Sequence, residues 1–293
     1  MRDWIALARP RQWSKNLLLY AAFLFTAGDA WTFEEPRVWL PMFLSATVAF
    51  LAFCLMSSAG YLLNDVRDAA LDRAHPRKRD RPIASGRLEP SRVRHVAVIL
   101  ALAAFFVGGA LGVWFLLALA SYLTATIAYT FALKRIALLD VLTVAGLFAL
   151  RALAGALAID VEASPWIIVC TFAGALFVAA VKREQERWLL GDAAGAHRET
   201  LEGEARWPRW VTGIAAVATA GLYLAYAATA PNLPASGSML ATVPLVIAAL
   251  WRYRTVARAR PDRDAEEVAF RDPVVLMLVV GFVALAVALL LKG

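Results

Sequence analysis

Histidine and cysteine are scarce in this chain, three and two among 293 residues. Cys54 and Cys170 both fall inside apolar runs, so they build neither a disulfide framework nor a thiolate metal site. His75, His95 and His197 lie too far apart in sequence to read as a metal-ligand set. Charge is also thin, at 18% Asp, Glu, Lys and Arg, against about 25% in soluble domains. No stretch reads as a soluble domain, a long linker or a low-complexity tail.

What fills the chain instead is apolar sequence, 61% of residues, in long blocks parted by short charged ones. Such blocks imply a polytopic helical membrane protein, because in lipid only helices and closed barrels satisfy the backbone. Barrel strands would alternate in short segments, and no such pattern occurs. The expected fold is an all-α membrane bundle forming one domain over 1–293. Nine spans are predicted, roughly 13–30, 39–63, 93–111, 114–133, 138–159, 165–188, 209–229, 239–253 and 273–291, each near the ~20 residues a span needs. Pro244 is expected to kink the eighth.

Of the 30 Lys and Arg, all but Arg37, Arg151 and Lys292 fall at the N-terminus or in the loops after spans 2, 4, 6 and 8. Positive-inside places those segments in the cytoplasm of a bacterial inner membrane. Tryptophans mark both predicted interfaces, with Trp31, Trp39, Trp114 and Trp166 at outer ends and Trp13, Trp188, Trp207, Trp210 and Trp251 at inner ones. The net charge of +7 thus reflects topology and contact with anionic membrane lipids or substrate. It does not point to nucleic acid, since the basic residues are split among loops and form no reader motif. The start of the chain has the look of a signal peptide, but an uncleaved first span completes the charge pattern.

The most informative stretch is NDVRDAALDRAHPRKRDRP, from Asn64 to Pro82. Asp65, Asp68 and Asp72 stand at i, i+3 and i+7, within about 60° of one another on a helix. Crowded carboxylates need a counter-charge, and Mg²⁺ takes carboxylates, waters and substrate phosphates. The basic residues that follow can hold the rest of a polyanion. The motif reads as a Mg²⁺–diphosphate site at a membrane edge. A solvated helix end, with its acids paired to Arg67 and Arg73, is the plainer reading. A weak echo follows span 6, in VKREQERWLLGDAAGAHRE. Two such half-sites facing one cavity would suit a membrane enzyme built on internal repeats.

Asn64-Asp65-x-x-Asp68-x-x-x-Asp72, placed after a span and before a basic RPI segment, resembles the first aspartate-rich motif of the UbiA superfamily of intramembrane prenyltransferases. The opening RPRQWSKN and the charged loops after spans 2, 4, 6 and 8 are also similar. The resemblance implies that Asn64, Asp65, Asp68 and Asp72 hold Mg²⁺ on a donor diphosphate, with Asp65, Asp68 and Asp72 catalytic. Tyr129 and Lys134 stand where many relatives place a diphosphate-contacting Tyr and Lys, though the spacing is one residue longer here.

The second acidic motif of the family is altered to Lys182-Arg183-Glu184-Gln185-Glu186-Arg187, with Asp192, His197 and Arg198 later. That change, and the runs LKRIALLDVLTVAGLFALRALAGALAIDVEASPW and KREQERWLLGDAAGAHRETLEGE, resemble the decaprenyl-phosphate phosphoribosyltransferase branch. The branch transfers 5-phosphoribose from phosphoribosyl diphosphate to a polyprenyl phosphate, feeding cell-wall arabinan. On that likeness Lys78, Arg79 and Arg81 would neutralise the leaving diphosphate. Lys182 and Arg183 would take the 5-phosphate, with Glu186, His197 and Arg198 as further substrate contacts. Glu184 and Glu186 are candidates for a second metal site. Arg9, Lys15 and Asn16 would meet the lipid head group.

Arg151 lies deep in a span, about 16 Å along the helix from Asp140, and is expected to hydrogen-bond within the bundle, with contact to an anionic ligand as the second reading. Two other functions compete: transfer of a polyprenyl group to an aromatic acceptor, and transport without chemistry. Transport fits poorly, since a transporter places polar groups near the midplane. Gly108, Gly109 and Gly112 allow close contact between helices of one chain or of two, so a homo-oligomer is left open.

Overall fold

The computed structural model describes residues 2–74, 79–190, 206–231, 233, 237–259 and 271–292. All regular structure among them is helical. The α-helices are α1 (Arg2–Ala8), α2 (Ala21–Phe25), α3 (Pro36–Ala74), α4 (Pro90–Gly108), α5 (Val113–Phe131), α6 (Leu139–Ala158), α7 (Pro165–Leu190), α8 (Trp207–Thr229), α9 (Val243–Ala259) and α10 (Pro273–Leu290). Eight of them, α3 to α10, are long and apolar enough to cross a membrane. The chain is a multi-pass helical membrane protein.

The predicted first span, 13–30, is the exception. It folds as a 3₁₀-helix over Pro10–Tyr20, followed by the five-residue α2. A 3₁₀-helix rises about 2.0 Å per residue against 1.5 Å in an α-helix, so the two pieces together extend about 30 Å. That is about the thickness of the hydrocarbon core. The apolar pattern counts residues and not rise, which is why it read as one α-helix. The stretched segment lies against α6: a Cβ on Gly155 would come within 2.2 Å of the Leu19 carbonyl oxygen.

Proline sets most of the helix starts. Pro36, Pro90, Pro165 and Pro273 each occupy the first position of a helix, and Pro208 the second. There the missing N–H has no intrahelical role and the fixed φ already suits a helix. Pro244 belongs to the same set. It stands in the first turn of α9, where a short 3₁₀ segment over Ser238–Thr242 gives way to α-helix, and does not kink a helix interior.

α3 packs along α4, α6 on α7, and α7 on α8. Phe53, Phe115, Leu119 and Leu19 are fully buried among α3, α5 and the 3₁₀ segment. Outward-facing side chains stay apolar, such as Ile99, Leu102 and Phe106 on α4 and Met277 and Val280 on α10. In lipid such faces carry no penalty. Of the three glycines singled out, Gly108 packs on Phe115 of its own chain, and Gly112 supplies the positive φ of the α4–α5 turn.

Candidate functional site

α3 is 39 residues long, and its last turns carry the acidic cluster. Leu62 and Ala69 on one face of those turns pack on Ile83, Val93 and Leu7. Packing fixes the rotation of the helix end, and Asp65 and Asp72 are almost fully buried as a result. Each carboxylate then meets a cation brought from another segment. Arg9, in the turn after α1, donates to Asp65 at 2.5 Å. Arg81, in the loop before α4, donates from a single Nη1 to Asp65 at 3.2 Å and to Asp72 at 2.7 Å. Lys134, in the 3₁₀ turn Leu133–Arg135, donates to both oxygens of Asp68 at 2.7 and 2.8 Å, with a longer contact of 3.5 Å to Asn64. Arg9 holds this position with φ at 50°, and its guanidinium lies 5.1 Å from the centre of the Tyr61 ring. A left-handed backbone at a non-glycine residue costs about 1–3 kcal/mol and persists only where its surroundings enforce it.

The end of α7 has the opposite polarity. Arg183 is buried and surrounded by acceptors. Its Nε and Nη2 donate to Asp140 at 2.5 and 3.1 Å, and Nη1 donates to Glu186 at 2.8 Å. The Tyr129 hydroxyl also donates to Asp140, at 2.8 Å. Asp140 opens α6 and is wholly buried; Leu138, just before it, has φ at 67°. Three helices, α5, α6 and α7, are tied through this one carboxylate. Glu184 turns the other way and accepts from Arg254 and Arg258 of α9.

A third network lies deeper. Arg151 of α6 donates to the Asn16 side chain at 2.9 Å, to the Leu147 carbonyl at 3.0 Å and to the Tyr122 hydroxyl at 2.7 Å. Asn16 in turn donates to Cys54 and Ser57, each at 3.3 Å. Among the described residues the polar contacts of Arg151 are to neutral groups, and Asp140 is spent elsewhere on the same helix.

Most of the sequence-predicted residues gather in two places. Asn64, Asp65, Asp68, Asp72, Arg9, Arg81 and Lys134 form one cluster, and Tyr129, Arg183 and Glu186 join Asp140 in the other. Asn16 departs from the expectation: it is fully buried against Arg151, facing into the bundle. Arg183 departs too, because its donors are committed to Asp140, Glu186 and Tyr129. Glu184, a candidate second metal ligand, faces α9 instead. Lys15 and Lys182 are half-buried, and Arg79 and His95 are exposed. Lys78, His75, His197 and Arg198 lie outside the described residues. Asp140 is the residue that sequence reasoning did not place in a site. Its signal was a lone acid in the first turn of an apolar span, directly after LKRIALL.

The donor set of the α3 cluster suits a hard cation, being all oxygen. Mg²⁺ uses one or two carboxylates and completes its shell with water and phosphate oxygens. Asp65 and Asp72 both lie within 3.2 Å of the same guanidinium nitrogen. No three His, Cys, Asp or Glu side chains converge on one point among the described residues. The fit is therefore to an ion held partly by protein and partly by its ligand.

A family model described as the UbiA prenyltransferase family matches residues 18–278. The chain is 34% identical to a decaprenyl-phosphate phosphoribosyltransferase of Mycolicibacterium smegmatis over 289 residues, covering 95% of this chain and 89% of that one. It is 33% identical to the enzyme of the same name from Corynebacterium glutamicum, covering 95% and 84%. Among solved structures, a UbiA homologue from Archaeoglobus fulgidus bound to GPP and Mg²⁺ superposes with a TM-score of 0.71 at 16% identity, covering 99% of this chain and all of that one. At that identity the likeness speaks for the fold.

Proposed function

The chain belongs to the UbiA prenyltransferase family, and on that footing we propose that it transfers 5-phosphoribose from phosphoribosyl diphosphate to a polyprenyl phosphate, releasing diphosphate. One observation carries this reading over a prenyl-diphosphate donor: a third of all residues are shared with decaprenyl-phosphate phosphoribosyltransferases over 95% of the chain. The product would serve as a precursor for cell-wall arabinan.

Asp65, Asp68 and Asp72, with Asn64, would hold Mg²⁺, which would neutralise charge on the diphosphate. Arg9, Arg81 and Lys134 reach the same place from three segments and donate to the diphosphate oxygens. Lys78 and Arg79 belong to the segment that carries Arg81 and add positive charge at the leaving group. Preorganised charge of this kind is usually the largest catalytic contribution. Lys182, His197 and Arg198 are assigned to the 5-phosphate. Arg183 acts at one remove, through the strut it makes with Asp140, Tyr129 and Glu186. Lys15 meets the lipid phosphate at the inner end of the first segment. The bond from C1 to the diphosphate oxygen breaks as a bond from C1 to a lipid phosphate oxygen forms on the opposite face, with inversion. A phosphate is already anionic at neutral pH, so the reaction needs no general base.

In sequence the carboxylate cluster opens one of the charged segments in which nearly all Lys and Arg fall. By the positive-inside rule those segments are cytoplasmic, and a soluble sugar phosphate is available there. Incubating the purified protein with Mg²⁺, labelled phosphoribosyl diphosphate and decaprenyl phosphate is expected to move label into the lipid phase. Absence of labelled lipid, with prenylation of 4-hydroxybenzoate from a polyprenyl diphosphate, would establish the aromatic-acceptor activity instead. Neither product, with solute flux into vesicles, would establish transport.

A further inference from the structure

The loop before α4 serves two places. Arg81 reaches from it into the carboxylate cluster. Further along, Ile83, Arg87 and Glu89 line a separate cavity of about 470 Å³, closed by Trp4 of α1, Arg73 of α3 and Arg92 in the first turn of α4. Two of its three arginines already have an acid. Arg92 pairs with Glu89 at 3.5 Å, and Arg87 Nε donates to Asp3 of α1 at 3.3 Å. Asp80 offers Arg87 its backbone carbonyl, at 2.8 Å. Arg73 donates from Nε to the neutral Ala84 carbonyl at 3.1 Å, and among the described residues no carboxylate pairs with it. The wall thus carries one positive charge in excess beside an apolar lining. That combination suits a monoanion attached to hydrocarbon.

The cavity also lies where the protein surface passes into lipid. Ile5 of α1 is exposed, and α4 runs from Arg92 to the exposed Val98, Ile99 and Leu102. The six residues from Arg92 to Val98 rise about 9 Å. Arginine side chains near a helix start reach back toward the headgroups, and tryptophan sits at the same depth. A phospholipid with its phosphate in the cavity would lay its chains along this face of α4.

We propose that the cavity holds one anionic phospholipid, its phosphodiester on Arg73 and Arg92, and that the lipid braces the loop that delivers Arg81. The bracing has a covalent and a hydrogen-bonded path. The Arg81, Pro82 and Ile83 carbonyls accept from the N–H groups of Ser85, Leu88 and Gly86 at 2.9, 3.0 and 3.1 Å. The cavity wall and Arg81 therefore belong to one short folded unit. The site is independent of the donor chemistry proposed above.

Native mass spectrometry of the protein released from nanodiscs of equal phosphatidylglycerol and phosphatidylcholine tests the site. Wild type is expected to retain one phosphatidylglycerol, at least about tenfold over phosphatidylcholine. Arg92→Gln touches no hydrogen bond of the loop and is expected to lower that preference about fivefold. Arg73→Gln with Arg92→Gln is expected to abolish it, and Arg209→Gln, an exposed arginine at the start of α8, to leave it unchanged. Both cavity arginines are exposed, so neither change is a folding lesion. In hydrogen exchange, the Ser85, Gly86 and Leu88 amides should be slower in phosphatidylglycerol than in phosphatidylcholine, and the double variant should lose the difference. Equal retention of the two lipids, or a preference that survives both variants, would overturn the site. A preference without slowed exchange would overturn the bracing. Slowing by water-soluble glycerophosphoglycerol to the same extent would overturn the lipid assignment and make the cavity a site for soluble phosphates.

Discussion

The ends of α3 and α7 mirror each other in sequence and invert each other in structure. Each is an apolar helix running into acids and bases at the same face of the bundle. At the end of α3, three acids are held by cations from three other segments. At the end of α7, one arginine is held by acids and a tyrosine from α5, α6 and its own next turn. Acids in a cationic setting can trade their partners for a metal and a polyanion. An arginine enclosed by a buried carboxylate has nothing comparable to trade for, because releasing it would strand Asp140. The first arrangement suits ligand exchange and the second suits a strut.

The largest effect is expected at the end of α3. Asp68→Ala should lower phosphoribosyl transfer by about a thousandfold or more, the scale of losing a main electrostatic element. Asp68 is partly exposed, and among the described residues its ion-pair partner is Lys134, so the melting temperature should hardly move. Lipid-phase label and thermal unfolding on the same preparation check both halves. Retained turnover would remove the metal role from α3.

The strut predicts the reverse pattern. Arg183→Met leaves Asp140 buried without its ion-pair partner, a lesion worth about 3–5 kcal/mol of stability. Unfolding in detergent should shift strongly, while the Mg²⁺ dependence of whatever activity survives stays put. Adding Asp140→Leu should recover much of the lost stability, since a well-packed apolar pair often replaces a buried ion pair at no net cost. A raised donor KM in Arg183→Met with unchanged unfolding would erase the contrast and make α7 a phosphate site.

The sequence showed much of the α3 half and little of the α7 half, for a physical reason. Asp65, Asp68 and Asp72 share one helix face, and helical periodicity converts their spacing directly into proximity. Their partners Arg81 and Lys134 were foreseen as anion ligands, but their grip on the aspartates is a tertiary fact. Arg183 and Asp140 are 43 residues apart, and no local rule joins them, so Arg183 read as a free phosphate ligand. Asn16 was misplaced because the first segment was read as an α-helix. At the 3₁₀ rise it carries Asn16 alongside Arg151 and leaves Arg9 at the carboxylates. The eight long spans were legible because block hydropathy reports burial in lipid directly.

Arg151 lies between these extremes in the size of its effect. It donates hydrogen bonds to three neutral acceptors and stacks near the rings of Tyr122 and Phe148, at 4.7 and 5.1 Å. Arg151→Met should cost less than Arg183→Met, because no buried carboxylate is left behind, only the Asn16 carbonyl oxygen and the Tyr122 hydroxyl. Two orphaned neutral groups at about 1 kcal/mol each, the low end for uncharged groups, stay below that cost. A loss equal to that of Arg183→Met would show that the charge of Arg151 has a partner beyond these.

The smallest effect belongs to a surface pair that resembles the α3 cluster only in chemistry. Asp272 caps α10 by accepting from the Val275 N–H at 3.0 Å, and it also accepts two bonds from Arg252 at 3.1 and 2.8 Å. The Arg252 hydrogen bonds, aided by the helix N–H groups, hold its carboxyl below the usual aspartate range. A carboxylate whose folded pKa is depressed adds stability above its unfolded pKa, and that stability is lost as pH falls through the folded value. Asp272→Asn keeps a capping oxygen but gives up the charge. Its unfolding midpoint should therefore drop slightly at neutral pH and converge with wild type at strongly acidic pH. Metal affinity and transfer activity should be untouched at every pH, because the pair stands outside both clusters. A change in either would tie the α9–α10 end to the donor site, which the contacts of Arg252 and Asp272 give no reason to expect.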